Sequence, residues 1–164
     1  MPVSVPDLCD DYIDQLTLLD PVFRDFGGRR RFSGPVSTVK CFEDNSRVKE
    51  ALGEPGQGRV LVVDGGGSHR CALLGDMLAG MGADNGWAGI VVYGCVRDVE
   101  ITAGIDLGIR ALAPYPVKSN KRNEGQRDIP VQYPGGVVEP GQHLYADENG
   151  IVIAPTALPV EFHD

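Results

Sequence analysis

The sequence predicts an α/β fold in which antiparallel hairpins follow a mainly parallel central sheet. Residues 59–64 and 89–93 are continuous apolar runs separated by a helical stretch, and strands buried on both faces of a sheet show this pattern. After Pro116, short apolar runs alternate with Pro-Gly and Asn-Gly turns, which are typical of antiparallel hairpins. A chain of 164 residues suits one core, so we expect one domain over residues 1–164.

The N-terminal part of the chain predicts a helix, a strand and a second helix. Apolar residues at helical spacing after Ser4 predict a short helix, with Asp7 as its cap. Residues 32–42 alternate loosely between apolar and polar and predict a strand. Acidic and amide residues precede Ser46–Leu52 and predict a capped helix there.

From the first apolar run onward, predicted strands and helices alternate. Residues 59–64 lead into three glycines, and residues 70–84 have a helical pattern that is interrupted near Gly75. After the second run, at 89–93, we expect a helix at 98–103 and a strand at 109–113. This order predicts parallel pairing. Beyond a polar loop at 118–127, short strands are expected at 129–133, 137–138, 143–146 and 151–154.

Composition limits the partners and the location of the protein. The net charge of −8 disfavours direct nucleic-acid binding but allows a basic protein partner. No run of 18 apolar residues exists, so no membrane association is expected. The first twenty residues lack the pattern of a secretory signal, which predicts a cytoplasmic protein. The four cysteines form no CxxC pair, and we interpret them as buried thiols.

Two segments could hold an anion through backbone amides. The glycine-rich turn at 64–68 follows a strand, as a phosphate loop would, but it lacks both the GxGxxG and the P-loop spacing. A tight turn is therefore the simpler interpretation. Gly75-Asp76 indicates the start of a helix, whose free amides suit a carboxylate. Such a pair can equally be only a helix cap.

Arg97 and Asp98 form a third candidate, at the end of the second buried run. Ligands of open α/β sheets bind at the carboxyl ends of strands. There an arginine can bind an anionic oxygen and an aspartate a hard cation. A surface salt bridge or a helix cap would use the same residue types. Twenty residues separate Asp76 from Arg97, and we expect both acids at the same edge of the sheet.

This Asp76 and Arg97-Asp98 pattern resembles the 4-hydroxy-4-methyl-2-oxoglutarate aldolase family, which also contains the regulator of ribonuclease E activity A. The resemblance covers most of the chain. It includes Asp7-Leu-Cys-Asp10, Phe26-Gly-Gly-Arg29, Val39-Lys-Cys-Phe-Glu-Asp-Asn45, Val60-Leu-Val-Val-Asp-Gly-Gly-Gly-Ser68 and Tyr145-Ala-Asp-Glu-Asn-Gly-Ile151.

The resemblance implies a fold, an assembly and an activity. It implies a β/β/α swivelling-domain-like sandwich that assembles as a homotrimer or a hexamer. The implied reaction is metal-dependent cleavage of a 4-hydroxy-2-oxo dicarboxylate to pyruvate and a second 2-oxo acid. Decarboxylation of oxaloacetate is implied as a side activity, because both reactions leave pyruvate enolate.

The resemblance also implies roles for individual residues. Asp98 matches the ligand of a divalent cation, Mg²⁺ or Mn²⁺, and Arg97 matches the group that contacts the keto oxygen. Asp76 matches an acid that orients water at the metal. The substrate carboxylate would lie on the backbone amides of the segment made of Gly75, Asp76, Met77 and Leu78.

Three further possibilities remain open at this point. The family implies an alternative function, a protein regulator that binds and inhibits ribonuclease E, although no residue of the aldolase motif is missing here. Methyl transfer to a quinone would depend on the glycine turn alone. Basic residues of the polar loop could reach a distal carboxylate, although a solvated loop is the simpler interpretation. These residues are Lys118, Lys121, Arg122 and Arg127.

Overall fold

The computed structural model describes residues 2–163, so residues 1 and 164 of the predicted domain lie outside the described part. The helices are α1 (Val5–Tyr12), α2 (Ser46–Leu52), α3 (Asp76–Asp84) and α4 (Val99–Thr102), with a 3-10 turn at Ile13–Gln15. The strands are β1 (Thr17–Leu18), β2 (Arg24–Asp25), β3 (Phe32–Lys40), β4 (Val60–Asp64), β5 (Ala72–Leu74), β6 (Gly89–Val96), β7 (Gly108–Pro114), β8 (Gln126–Arg127), β9 (Val131–Tyr133), β10 (Gly136–Val138), β11 (His143–Asp147) and β12 (Gly150–Ala154). Within the described residues, none of the helices combines the length and the apolar content needed to cross a lipid bilayer.

A ten-stranded mixed sheet forms the centre of the fold. Its strand order is β1-β12-β11-β3-β4-β6-β7-β2, while β5 extends the sheet along β6 and β8 pairs with β3. Neighbours in the run β3-β4-β6-β7 are parallel, as is β5 with β6. The pairs β11–β12 and β9–β10 are antiparallel. The predicted α/β class, with a parallel centre and antiparallel C-terminal hairpins, is confirmed.

Strand β4 shows why the two apolar runs are continuous. Leu61 and Val63 point into a core formed with α2 and α3, whereas Val60 and Val62 point into a second core formed with β9 to β12. All four side chains are fully buried, and each contributes about 1.5–3 kcal/mol to folding. In the second core, the Tyr133 hydroxyl lies within hydrogen-bond distance of two strand carbonyls, at 3.0 and 2.9 Å.

The structure corrects the expectation for residues 70–84. Instead of an interrupted helix, strand β5 occupies Ala72–Leu74 and helix α3 begins at Asp76. Three apolar residues are too few to show a helical or strand periodicity. Strand β5 is instead defined by its pairing with β6 and by the Ala72 amide, which donates to the Val117 carbonyl at 2.7 Å. The capping assignment at α1 also changes, because Ser4 is the N-cap and Asp7 completes a capping box three residues later.

Candidate functional site

A cleft of about 320 Å³ lies where strands β5 and β6 end and helix α3 begins. Its walls come from four separate parts of the chain. They include Asn45, Lys49, Ala72, Leu74, Gly75, Asp76, Met77, Leu78, Met81, Arg97, Asp98, Lys118, Ser119 and Lys121. The cleft therefore includes the residues that the sequence and the resemblance assign to the site, 75–78, 97 and 98, together with others such as Asn45, Lys49 and Ser119.

The turn after β6 directs the Asp98 side chain toward helix α3. The Arg97 amide donates to the Leu74 carbonyl at 2.9 Å, so Arg97 still belongs to the ladder between β5 and β6. Asp98 then adopts a left-handed conformation with φ 58° and ψ 38°, which is costly for most residues but tolerated by aspartate. Its Oδ2 accepts a hydrogen bond from the Asp76 amide at 3.2 Å. This bond joins the two segments at the start of α3.

Gly75 leaves space for the side chain of Asp98. Its φ of −131° and ψ of −167° are extended values that any residue can adopt. A Cβ atom at this position, however, would lie 2.7 Å from Oδ2 of Asp98. A glycine therefore leaves room for the Asp98 carboxylate.

The first turn of α3 and Arg97 place backbone N–H groups and a guanidinium at the same cleft. The amides of Met77 and Leu78 belong to the first turn of α3, where backbone N–H groups have no partner within the helix. The Arg97 guanidinium has only long contacts, 4.0 Å to Oδ2 of Asp98 and 3.4 Å to the Pro116 carbonyl. It keeps donors for a ligand. Amides, helix dipole and guanidinium together suit a carboxylate next to a polar oxygen.

The acids of the cleft fit a hydrated hard cation better than a closed metal site. Asp76 and Asp98 both line the cleft, but residues 2–163 contain no group of three or more His, Cys, Asp or Glu side chains placed to share a metal. A structural zinc site requires about four such ligands. Mg²⁺, in contrast, keeps several waters and uses one or two carboxylates, and Mn²⁺ takes similar oxygen ligands. The donor set is therefore consistent with Mg²⁺ or Mn²⁺.

Basic side chains without an acidic partner are concentrated at this cleft. All fifteen Lys and Arg residues lie within the described part of the chain, and ten of them have a carboxylate within 4.0 Å. Three of the other five, Lys49, Lys118 and Lys121, line the cleft. In a protein of net charge −8, this placement favours an anionic ligand.

The other two basic residues of the polar loop have different partners. Arg127 pairs with Glu54 at 2.6 Å and with Glu50 at 3.2 Å. Arg122 lies 3.6 Å from Glu124. Neither of the two lines the cleft.

Asn45 supplies a buried polar atom that sequence reasoning missed. Its side chain was expected to cap α2, but it makes no capping bond, and Oδ1 of Asp44 accepts from the Ser46 amide instead. Asn45 is only 7% exposed and lines the cleft; its Nδ2 donates to the Leu73 carbonyl at 3.1 Å. Its Oδ1 has no hydrogen-bond partner among residues 2–163. Buried polar atoms are normally satisfied, so this acceptor is suited to a donor on a ligand.

The glycine turn is not arranged to hold a phosphate. The amides of Gly65 and Gly67 both donate to the Tyr93 carbonyl at 3.1 Å, and the Gly66 amide donates to Oδ1 of Asp64 at 3.0 Å. These amides hold the turn on the sheet. His69 lies on a separate surface depression beside Tyr93 and does not line the cleft.

The fold and the cleft define an α/β protein whose candidate site lies at the carboxyl edge of a parallel sheet, where folds of this class bind ligands. Comparison with known families is more specific. The RraA-like family model, described as Aldolase/RraA, matches residues 5–153, and the chain belongs to this family. The resemblance stated from the sequence is thereby confirmed.

Relatives and solved structures cover nearly the whole chain. A protein of Alkalilimnicola ehrlichii is 62% identical over 158 residues, covering 96% of this chain and 98% of its own, and carries the provisional name 4-hydroxy-4-methyl-2-oxoglutarate aldolase. The RNA-processing inhibitor RraA of Thermus thermophilis is 45% identical, with a TM-score of 0.93 and 99% coverage of both chains. A structure described as an S-adenosylmethionine: 2-dimethylmenaquinone methyltransferase, from Geobacillus kaustophilus, is 44% identical with a TM-score of 0.93, covering 95% of this chain and 97% of its own.

Proposed function

We propose that the chain is a divalent-metal-dependent aldolase that cleaves 4-hydroxy-4-methyl-2-oxoglutarate or a similar substrate to pyruvate and a second 2-oxo acid. Decarboxylation of oxaloacetate is proposed as a side activity. This proposal depends mainly on one observation: Arg97, Asp98 and the first turn of α3 meet in one cleft with lysines that have no acidic partner among the described residues. The aldolase name carried by relatives at 53–62% identity supports this choice.

The proposed roles at the reacting end of the substrate follow from the geometry. The amides of Met77 and Leu78 bind the carboxylate of the 2-oxo acid, and the Arg97 guanidinium binds its keto oxygen. When the C3–C4 bond breaks, its electron pair forms pyruvate enolate, and the positive charge of Arg97 stabilises the enolate oxygen. Asp98 would hold the cation and Asp76 would orient water beside it. When bound, Mg²⁺ or Mn²⁺ supplies further electrostatic stabilisation of the enolate.

The far end of the substrate would lie against Asn45 and the lysines. The Oδ1 of Asn45, which has no partner among the described residues, can accept a hydrogen bond from the C4 hydroxyl group. During aldol cleavage the proton of this group would pass to water oriented by Asp76, and a proton would return to C3 of the enolate to give pyruvate. An amide oxygen is too weak a base to remove that proton, so Asn45 would orient the hydroxyl group. Lys118 and Lys121 would hold the distal carboxylate. Decarboxylation of oxaloacetate involves no C4 hydroxyl group, so Asn45→Ala should impair aldol cleavage selectively.

The test is pyruvate release from oxaloacetate and from 4-hydroxy-4-methyl-2-oxoglutarate, with Mg²⁺ and with EDTA. We expect metal-dependent turnover that falls by about 100-fold or more in Asp98→Ala. Asp128→Ala is the matched control, because Asp128 also has a left-handed backbone, with φ 59°, but lies outside the cleft. If neither substrate is turned over by folded, metal-loaded wild type, the aldolase proposal is wrong.

The alternative is a protein regulator that binds and inhibits ribonuclease E. The observation that favours it is the 45% identity to an RNA-processing inhibitor with a TM-score of 0.93. The charge of −8 would suit a basic segment of the ribonuclease. Inhibition of purified ribonuclease E by wild type and by Asp98→Ala alike would support a regulator that acts independently of the cleft.

We further propose that the protein is a cytoplasmic homotrimer or hexamer. Its four cysteines are all free thiols, as is usual in a reducing compartment. Several large apolar side chains are about half exposed, including Ile13, Phe42, Ile101 and Val117, and these suit contacts between subunits. Sedimentation equilibrium measures the assembly, and a monomer with full turnover would contradict the proposal.

A further inference from the structure

The segment that carries two of the cleft lysines has almost no regular structure of its own. Residues 118–125 contain no helix or strand and are mostly exposed. Exposed irregular segments are mobile unless other parts of the protein hold them. Lys118 is held by a β-bridge to Ala72 of β5, whereas the position of Lys121 depends on how this segment is attached.

The main attachment is the carboxylate of Asp44, which is fully buried. Its Oδ2 accepts hydrogen bonds from the backbone amides of Arg122 at 2.6 Å and Glu124 at 3.2 Å. Its Oδ1 accepts from the Ser46 amide at 2.9 Å and the Ser46 hydroxyl at 2.5 Å. The Ser46 Oγ in turn accepts from the amide of Asn123 at 3.2 Å. Three consecutive amides of the segment thus converge on Asp44 and Ser46.

Two neighbouring residues complete the attachment. The Arg47 guanidinium donates to the carbonyl groups of Asn123 at 2.8 Å and Gly125 at 3.3 Å. The Asn45 amide donates to Oγ of Ser119 at 3.3 Å. Residues 44–47 therefore hold both ends of the segment.

Asp44 has no basic partner within 4.0 Å among the described residues. A buried charge is costly, and here only hydrogen bonds offset that cost. Burial on its own would raise the pKa of the Asp44 carboxyl group, but the bonds from Ser46, Arg122 and Glu124 outweigh it and lower the pKa to about 2. The carboxylate is therefore charged at neutral pH and binds the amides strongly.

We infer that Asp44 is a positioning residue for substrate recognition: it fixes residues 121–125 so that Lys121, beside the bridged Lys118, faces the distal carboxylate. The inference rests on the proposed function, because it assumes a substrate with two carboxylates. Asp44 does not line the cleft and acts only through Lys121. Its loss should weaken recognition of the distal carboxylate and leave the reacting end intact.

The experiment measures binding of 2-oxoglutarate and of 2-oxopentanoate by calorimetry in the presence of Mg²⁺. The two acids have the same chain length, but only 2-oxoglutarate has a distal carboxylate, and neither has a C4 hydroxyl group. Wild type should bind 2-oxoglutarate about 10-fold more tightly. In Asp44→Asn this preference should shrink to about 2-fold, with the Kd of 2-oxopentanoate unchanged.

Asp147→Asn is the matched control. Asp147 is also a buried acid, only 1% exposed, and accepts backbone amides from Val5 and Asn149 at 2.8 Å, but it lies outside the cleft. This variant should keep the wild-type preference. An equal loss of preference in Asp147→Asn would overturn the inference, since a general loss of stability would then explain both.

A second variant and a second measurement cover the case that Asp44→Asn does not fold. Ser46→Ala keeps the carboxylate but removes the contact with the Asn123 amide, and the preference should fall by about 3-fold. Hydrogen exchange at residues 122–124 should accelerate in both variants. Unchanged exchange, or an unchanged preference in a protein that still releases pyruvate, would overturn the role of Asp44. Absence of metal-dependent pyruvate release from wild type would instead reject the proposed function.

Discussion

Substitution of Gly75 by alanine perturbs the cleft without removing any of its chemical groups. The backbone of Gly75 is extended, so alanine introduces no conformational strain. Its Cβ would lie 2.7 Å from Oδ2 of Asp98, whereas ordinary contact begins at 3.4 Å. The carboxylate must therefore move by about 0.7 Å. Such a shift disrupts its 3.2 Å hydrogen bond with the Asp76 amide.

The displacement should affect activity far more than stability. Misplacement of a catalytic group by about 1 Å can lower the rate about 100-fold, so we expect kcat/KM to fall by about 10- to 100-fold. Loss of the hydrogen bond costs about 1 kcal/mol. Alanine recovers about 0.4–1 kcal/mol by restricting the unfolded chain. The free energy of unfolding should therefore stay within about 1 kcal/mol of wild type.

The assay is metal-dependent pyruvate release together with urea denaturation, and Gly80→Ala is the control. Gly80 lies in the same helix, and a Cβ added there would meet no atom within 4 Å. Gly80→Ala should leave kcat/KM unchanged and stabilise the protein by about 1 kcal/mol. Wild-type kcat/KM in Gly75→Ala would refute the reasoning, because the position of the Asp98 carboxylate would then not matter for turnover.

Three further predictions concern stability and reactivity. The pKa of Asp44 in the folded protein is about 2, below its ordinary value of 3.8. The ionised carboxylate therefore stabilises the folded state above about pH 4, and this stabilisation disappears as the pH falls toward 2. Urea titrations should show this loss, about 1–2 kcal/mol, in wild type but not in Asp44→Asn. Tyr133→Phe should cost about 1–2 kcal/mol in the same titrations, because the buried hydrogen bond that the single hydroxyl proton makes to one of two strand carbonyls is lost, while pyruvate release stays unchanged. In thiol titration of the native protein, Cys9 should react first, because the other three cysteines are buried. Burial also raises the pKa of the Cys41 thiol to about 12. Rapid reaction of a second thiol would contradict this prediction.

Most strands and helices of the parallel centre could be predicted because their patterns are long. Strand β4 and the start of β6 are continuous apolar runs, which are typical of a strand whose sheet is buried on both faces. Strand β5 could not be predicted, because three residues show no periodicity and its identity depends on pairing with β6. The same limit applies to the end of β6, which continues from the predicted Tyr93 to Val96 because β5 and β7 pair with it there.

Part of the cleft could be predicted for a similar reason. Arg97 and Asp98 follow the predicted strand β6, and the family resemblance adds Asp76, so the three could be placed together. Asn45 and the three lysines come from segments that are distant in sequence, and no local pattern connects them with Arg97. For Asn45, the available signal was its place in a segment shared with the family, Val39 to Asn45. Because a polar residue before a helix is ordinarily interpreted as a helix cap, Asn45 was not assigned to the cleft.

The short strand β5 also affects how the protein should respond to heat. The segment before Asp76 is held to the segment before Asp98 by a ladder of only a few bonds, which ends at the bond from the Arg97 amide to the Leu74 carbonyl. The ends of short ladders open locally at a much lower free energy than the whole fold. Such fraying would separate the two halves of the cleft while the buried cores remain packed. Heat inactivation should therefore begin below the Tm, and it should reverse on cooling as long as the cores stay intact.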